Sequence, residues 1–322
     1  MSQTIDLGPQ YPKDPPFTAR MRFHQSWYRA NVLRVPWGTG PKHNDTSMYG
    51  NMLRRADGQH GLNFLTPEIF AVARQRLEDV NGVIERFRLL HNMLSSQPMC
   101  FNLFGHLVSN RELARDVLQR FLPEPVAAVS NVVLEYAPTP QEEYLNDRTA
   151  FDAYIEFLRP DGRLGFVGVE TKLTERFSKK VYDSLEYRHW SDRPDSPWLP
   201  EKRDQLPNVR HNQLWRDHLL AVALVRHPAS TFASGYMMLV RHADDGECAG
   251  AVCGYRDLLK PNDRSVIDSP LDQLVAAVEA AVKTEADRDW IAAFRARYLD
   301  LSLSAAAWDA RKRGSALLSG GS

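Results

Sequence analysis

Glu170, Thr171 and Lys172 close an apolar run, Leu164 to Val169, and Asp152 interrupts a second apolar run eighteen residues earlier. Two carboxylates and an ammonium delivered by neighbouring strands suit metal-assisted cleavage of a phosphodiester. Carboxylate oxygens hold Mg²⁺, and the metal acidifies a water and neutralises developing negative charge. A lysine beside it can orient that water or stabilise the charged phosphorane. Alternating charges also occur on ordinary exposed strands. Here, however, the chain has nine lysines, and only Lys172 lies two residues after an acid.

The elements that must position these groups can be read from the pattern around them. Ala127 to Tyr136 is rich in valine, Thr149 to Leu158 alternates, and Leu164 to Leu173 is short, apolar and β-branched, so three strands follow one another. Asp161-Gly162 joins the last two as a hairpin. Period-two geometry places Glu170 and Lys172 on one face of their strand, and a twisted sheet can bring Asp152 alongside them.

Upstream, Thr66-Pro67-Glu68 starts a helix with Ala73, Leu77, Val80, Ile84 and Phe87 on one face, which Asn81-Gly82 can kink or split. The apolar stretch Met93 to Val108 follows. Ser109 and Glu112 form a capping box for a helix bearing Leu113, Val117 and Phe121. Downstream, the pattern predicts a helix over Asn208 to Val225, a fourth strand over Thr231 to Val240, a helix opened by Ser269-Pro270 and running to Val282, and another from Ala286 to Leu299. The core order is helix–strand–strand–strand–helix–strand. Residues 1–65 are expected to form an irregular N-terminal arm with one short helix around Phe23 to Leu33. Residues 66–260 form the core, and 261–322 supply C-terminal helices and a Gly/Ser-rich tail frayed after Ala310. The arm's six arginines from Arg20 to Arg55, with Trp27, Tyr28 and Trp37, either grip a nucleic-acid strand or wrap their own domain.

Composition narrows the class. A hydrophobic content of 43% supports a real core, and formal net charge is zero. That balance does not favour a nonspecific nucleic-acid coat. The forty basic residues nevertheless divide into thirty-one Arg and nine Lys, and arginine suits phosphate recognition. Three cysteines, an odd and sparse set, fit a reducing cytoplasmic compartment. Cys248 and Cys253 with His242 are too few and too loosely spaced for structural zinc, and the two cysteines read as buried thiols. The chain has no Walker loop, no His-Glu-x-x-His, no Gly-x-Gly-x-x-Gly after a strand, no nucleophile elbow around Ser230 or Ser234, and no apolar run long enough for a membrane span.

The element order, with Asp on the second strand and Glu-x-Lys on the third, resembles the PD-(D/E)XK nuclease superfamily. The likeness extends through Leu90 to Pro98, Phe101 to Gly105, Asn146 to Asp152, Gly168 to Glu175 and Asn212 to Arg216. Together these blocks are similar to a bacterial branch of that superfamily, over roughly 90–240. The resemblance implies an α/β, restriction-endonuclease-like core (αβββαβ, a mixed central sheet flanked by helices) with helical N- and C-terminal additions. It implies Asp152 and Glu170 as metal-binding carboxylates, the backbone carbonyl of Thr171 as a further ligand, and Lys172 as the water-positioning or charge-stabilising group. Gln213 matches a glutamine near the site on the following helix. An acid from the first helix is often added in the superfamily. Glu112 is better explained by its capping box, while Glu135 either approaches the metal or is a solvated strand end.

The implied activity is metal-dependent (endo)nuclease hydrolysis with Mg²⁺, Mn²⁺ able to substitute, and a 3′-oxygen leaving, with endo- versus exonucleolytic action left open by the sequence. DNA is favoured over RNA as the partner, no membrane is involved, and a homodimer or a defence-system partner is possible. The alternative is a catalytically inactive nucleic-acid-binding or scaffold protein that keeps the fold. The cations Arg176, Lys179, Lys180, Arg210, His211 and Arg216 either meet phosphates around the site or form a solvated face, and Asp147-Arg148 reads as a surface ion pair.

Overall fold

Five strands form one mixed sheet in the computed structural model, which describes residues 6–41, 49–79 and 84–319. The strands are β1 (Ala128–Tyr136), β2 (Phe151–Leu158), β3 (Leu164–Lys172), β4 (Phe232–Arg241) and β5 (Val266–Pro270), and they lie side by side in chain order. β1, β2 and β3 are antiparallel neighbours, whereas β4 runs parallel to β3 and β5 parallel to β4. Antiparallel pairing of β2 and β3 needs only a tight turn. Gly162 supplies it at φ 81°, and Asp161 Oδ1 accepts the Arg163 N–H at 3.1 Å. Parallel pairing requires long crossovers, and the helices occupy them.

Alternation along the strands builds two cores. Ile155, Val167 and Met238 face one side, while Tyr154, Phe166 and Met237 face the other. The N-terminal segment contributes α1 (Pro16–Tyr28) and α2 (Arg55–Gln59), and then come α3 (Pro67–Glu78), α4 (Arg86–His91), α5 (Ser96–Phe104) and α6 (Arg111–Leu118). The crossovers hold α7 (Leu185–Ser191), α8 (Asn212–Arg226) and α9 (Gly246–Arg256). After β5 come α10 (Leu271–Glu279), α11 (Glu285–Tyr298) and α12 (Ala305–Ser319). Residues of α5, α6, α10 and α11 bury the first face, and those of α7, α8 and α9 the second. At Gly168 a Cβ would lie 2.4 Å from the Phe151 ring, so only glycine lets that ring lie on β3.

Several expectations shift. The early helix spans Pro16–Tyr28, because Pro16 opens it, and a π-helical turn at Arg29–Leu33 ends it. Arg29 is fully buried and donates to the carbonyls of Gly50 (2.6 Å), Asp6 (2.7 Å) and Val35. This segment therefore wraps its own protein. The helix begun at Thr66 ends at Glu78, and Phe87 belongs to α4; Val80 and Asn81-Gly82 lie outside the described residues. The Ser109–Glu112 capping box does not form. Asn110 is the cap, accepting the Leu113 N–H at 3.2 Å, and Glu112 is exposed near Lys283. Asparagine is at least as good a cap as serine, so the helix starts one residue later. Ser269-Pro270 closes a strand, Val266–Pro270 (β5), and Pro270 at the same time caps α10, which ends at Glu279 and not at Val282. The C-terminal helix α12 continues past Ala310 to Ser319.

His24 ties α1 to the C-terminal helices through Ser304 Oγ (2.8 Å) and the Ala296 carbonyl (3.0 Å). Burial pushes its pKa down to about 4, and burial does the same to His218. Between pH 6.5 and 4 the unfolded chain therefore binds protons that the folded chain refuses, so stability falls as pH falls through that window. Each site contributes on the order of 3 kcal/mol across it. Thermal melts from pH 8 to 4 are expected to show this decline, with a shallower slope in His24→Asn.

Candidate active site

The end of β3 delivers the central groups. Its alternation sends Glu170 and Lys172 toward α8 and Thr171 toward the opposite core, where Thr171 is fully buried. Lys172 Nζ lies 2.7 Å from Glu170 Oε1, and both side chains are only 8% exposed, which makes this a buried ion pair. Gln213, in the first turn of α8, bridges it. Its Nε2 donates to Glu170 Oε1 at 2.6 Å, and its Oε1 accepts from Lys172 Nζ at 3.3 Å. The Ser178 N–H donates to the same Oε1 at 3.1 Å, which fixes the amide's orientation. Burial opposes the charge on Lys172, but Glu170 and Asp152 outweigh it and raise the lysine's pKa, so the ammonium stays protonated.

Asp152 reaches the same place from β2. The ladder between β2 and β3 runs as far as Ala153 opposite Val169. Beyond it, Thr171 donates both its N–H (2.7 Å) and its hydroxyl (2.6 Å) to Asp152 Oδ2. Burial raises the Asp152 pKa well above the carboxylate range, and Glu170 and Glu135 raise it further.

Glu135, at the end of β1, is buried and so is not a solvated strand end. It sits at φ 53°, a left-handed conformation costly for a residue with a Cβ. In an unbroken strand Leu134 and Tyr136 would share a face. Instead Leu134 enters one core and Tyr136 stacks on Tyr154 in the other, at 4.1 Å between ring centroids. The Arg76 guanidinium holds the Leu134 and Glu135 carbonyls at 2.8 and 2.7 Å across this kink. The Glu135 carboxylate then accepts from Gln97 Nε2 of α5 at 2.7 Å. Burial pushes its pKa up to about 7, with Glu170 adding and Gln97 opposing.

Sequence reasoning missed Asp217. It lies one turn beyond Gln213 on α8 and is buried, and among the described residues its Oδ2 has no hydrogen-bond partner. Burial, then Glu170, raises its pKa well above normal. The i,i+4 spacing from Gln213 was the available signal. Glu175 was also undervalued. It accepts the N–H groups of Ser96 (2.7 Å), Leu173 (3.3 Å) and Thr174 (3.2 Å), tying the exit of β3 to the start of α5.

All these acids line a cleft of about 870 Å³, rimmed by Arg22, Arg88, Arg148, Arg176 and Arg216. Lys179 and Lys180 do not line it. Asp147 does not pair with Arg148 as read from the sequence; its carboxylate meets the Tyr187 hydroxyl and, at 3.8 Å, Arg216. Arg216 also donates to Thr149 Oγ1 at 2.8 Å and lies 4.3 Å from the Tyr182 ring centroid.

The donor set can be tested against a divalent cation. Among the described residues, Asp152 Oδ1 and Glu170 Oε2 take no hydrogen bond, so each carboxylate keeps one open oxygen in the cleft. Burying several acids around one ammonium also leaves negative charge that a cation relieves. Hard oxygen donors of this kind fit Mg²⁺ or Mn²⁺. Among the described residues, no three Asp, Glu, His or Cys side chains are arranged to hold an ion together. The fit therefore rests on the open oxygens of Asp152 and Glu170, and Glu135 is not preassembled as a third carboxylate ligand.

The antiparallel β1–β2–β3 meander, the helical crossover to a parallel β4 and the polar cluster at the end of β3 together make this a restriction-endonuclease-like fold. The family model of the PD-(D/E)XK nuclease superfamily matches residues 12–300, and the chain belongs to that superfamily. The match takes in α1, α10 and α11, beyond the blocks that carry the sequence resemblance. No curated protein and no solved structure matches the chain.

Removing the cation from this cluster leaves buried acids uncompensated. Lys172→Met is expected to lower unfolding free energy in EDTA by about 3–5 kcal/mol. The double variant Glu170→Gln/Lys172→Met should recover much of it. Urea titrations check both, and equal loss in the two variants would contradict the ion-pair assignment.

Proposed function

We propose that this protein is a metal-dependent nuclease that hydrolyses phosphodiester bonds, with DNA favoured over RNA and Mg²⁺ as the ion, Mn²⁺ substituting. The observation that carries the reading is the pairing of two half-open carboxylates, Asp152 and Glu170, with a protonated Lys172 on the floor of an arginine-rimmed cleft. Superfamily membership supports it.

Asp152, Glu170 and the Thr171 carbonyl would hold the cation, which when bound supplies acidity to a water and neutralisation of charge on the scissile phosphate. The chain's own groups do the rest. Lys172 stays protonated, so it acts as a donor and a positive charge and not as a base. It positions the attacking water or meets the charge that develops on the phosphate oxygens. Gln213 keeps Lys172 and Glu170 in register, and the rim arginines hold flanking phosphates.

Purified protein should degrade plasmid and linear DNA with Mg²⁺ or Mn²⁺ and not with EDTA. Asp152→Ala and Lys172→Ala are each expected to lose roughly a hundredfold or more in rate. Indistinguishable digestion of DNA and RNA by wild type and Asp152→Ala would sink the enzymatic reading.

The ion pair on Glu170, and the absence of a preassembled three-acid group among the described residues, favour one second reading: a binding protein that keeps the fold without catalysis. Metal affinity separates the two. Mn²⁺ at a hundred times its Kd should stabilise a competent site by about 2.7 kcal/mol. That thermal shift should vanish in Asp152→Ala/Glu170→Ala; its survival would remove those residues as ligands.

A further inference from the structure

A second hollow, of about 530 Å³, opens beside the cleft and shares Thr18, Thr174, Glu175 and Arg176 with it. Its apolar walls come from Pro16 and Phe17 at the start of α1, Phe177 from the segment after β3, and Cys248 and Ala251 from α9, while Asp244, Asp245 and Glu247 also line it. Phe177 forms the partition between the two spaces, since its ring centroid also lies 5.3 Å from Lys172 Nζ.

We propose that this hollow receives one unpaired nucleobase of the nucleic acid lying in the cleft. The substrate class would then be single strands, or duplexes with a base displaced from the stack. This rests on the nuclease reading, which places a phosphodiester beside Lys172. A chain running through the cleft brings the base of a neighbouring nucleotide to the shared rim. The aromatic and apolar part of the hollow favours a base's flat face over water, and stacking of this kind changes affinity by roughly 5- to 150-fold per base.

The rim has matching polar chemistry. Arg210 is braced by the Gly250 carbonyl at 3.1 Å and can meet a phosphate. Arg176 pairs with Glu247 at 3.2 Å, but both side chains are mostly exposed, at 60% and 72%, so the pair is weak and can open. Opening frees the guanidinium for a phosphate and the carboxylate for an exocyclic amino group. Bases held inside a regular duplex cannot enter, because their faces are covered by their neighbours.

The test uses the full chain and three labelled DNA oligonucleotides: a single strand, a perfect duplex, and a duplex with one unpaired adenine. Binding is measured in EDTA. Wild type is expected to bind the single strand and the bulged duplex at least about tenfold more tightly than the perfect duplex. With 2-aminopurine as the unpaired base, its emission should change on binding as it leaves its neighbours. Ala251→Trp, which fills the hollow, is expected to reduce the single strand and the bulged duplex to the affinity of the perfect duplex. Equal affinities in wild type, or an undiminished preference in Ala251→Trp, overturn the subsite. If Ala251→Trp melts far below wild type, Phe17→Ala is read in its place, and an undiminished preference there has the same meaning. Because binding is read without metal, an intact preference with no Mg²⁺-dependent cleavage would overturn the catalytic reading and leave the base subsite standing.

Discussion

Where β2 and β3 part, the Asp152 carboxylate takes both the N–H and the hydroxyl of Thr171. These bonds substitute for the ladder that ends one residue earlier, and much of the site follows from them. They let the two strands separate without stranding a buried donor. They commit one Asp152 oxygen to structure and leave the other open. They also fix Thr171, and so set which face of β3 carries Glu170 and Lys172.

Charge is the second constraint. Asp152, Glu135, Glu170 and Asp217 line one cleft with Lys172 as the ammonium among them. Desolvation penalises every one of these charges, and the acids penalise one another. A protein selected for stability alone would put apolar residues here. The cluster is held by backbone devices on several sides: the left-handed Glu135 clamped by Arg76, the Glu175 knot at α5, and Gln213 braced by Ser178. That much structural support around unfavourable electrostatics is typical of a place where function sets the terms.

What the sequence made legible follows from locality. The period-two spacing of Glu170 and Lys172, the Asp161-Gly162 turn and the apolar face of α8 are all encoded within a few residues. β5 escaped because five residues containing Asp, Ser and Pro carry little strand signal, and its pairing with β4 is nonlocal. The π-helical turn and the fully buried Arg29 depend on carbonyls from three separate segments. Asn110 displaced Ser109 as a cap by a one-residue shift that pattern reading does not resolve. Glu135 looked like a strand end because nothing local announces a left-handed residue. Asp217 goes unmarked in the sequence because one more charge on a helix has no direction until the cleft is formed.

The sheet's two margins bear on how copies of this chain could meet. β1 carries a register shift between Val129 and Asn131, and β5 is only five residues long and closes on Pro270, which has no N–H to offer. Both borders are thus poor templates for adding a foreign strand. Continuing the sheet across a twofold axis is disfavoured at either end. Copies of this chain that associate would meet through surfaces other than the sheet borders, and those surfaces would set the spacing of their clefts.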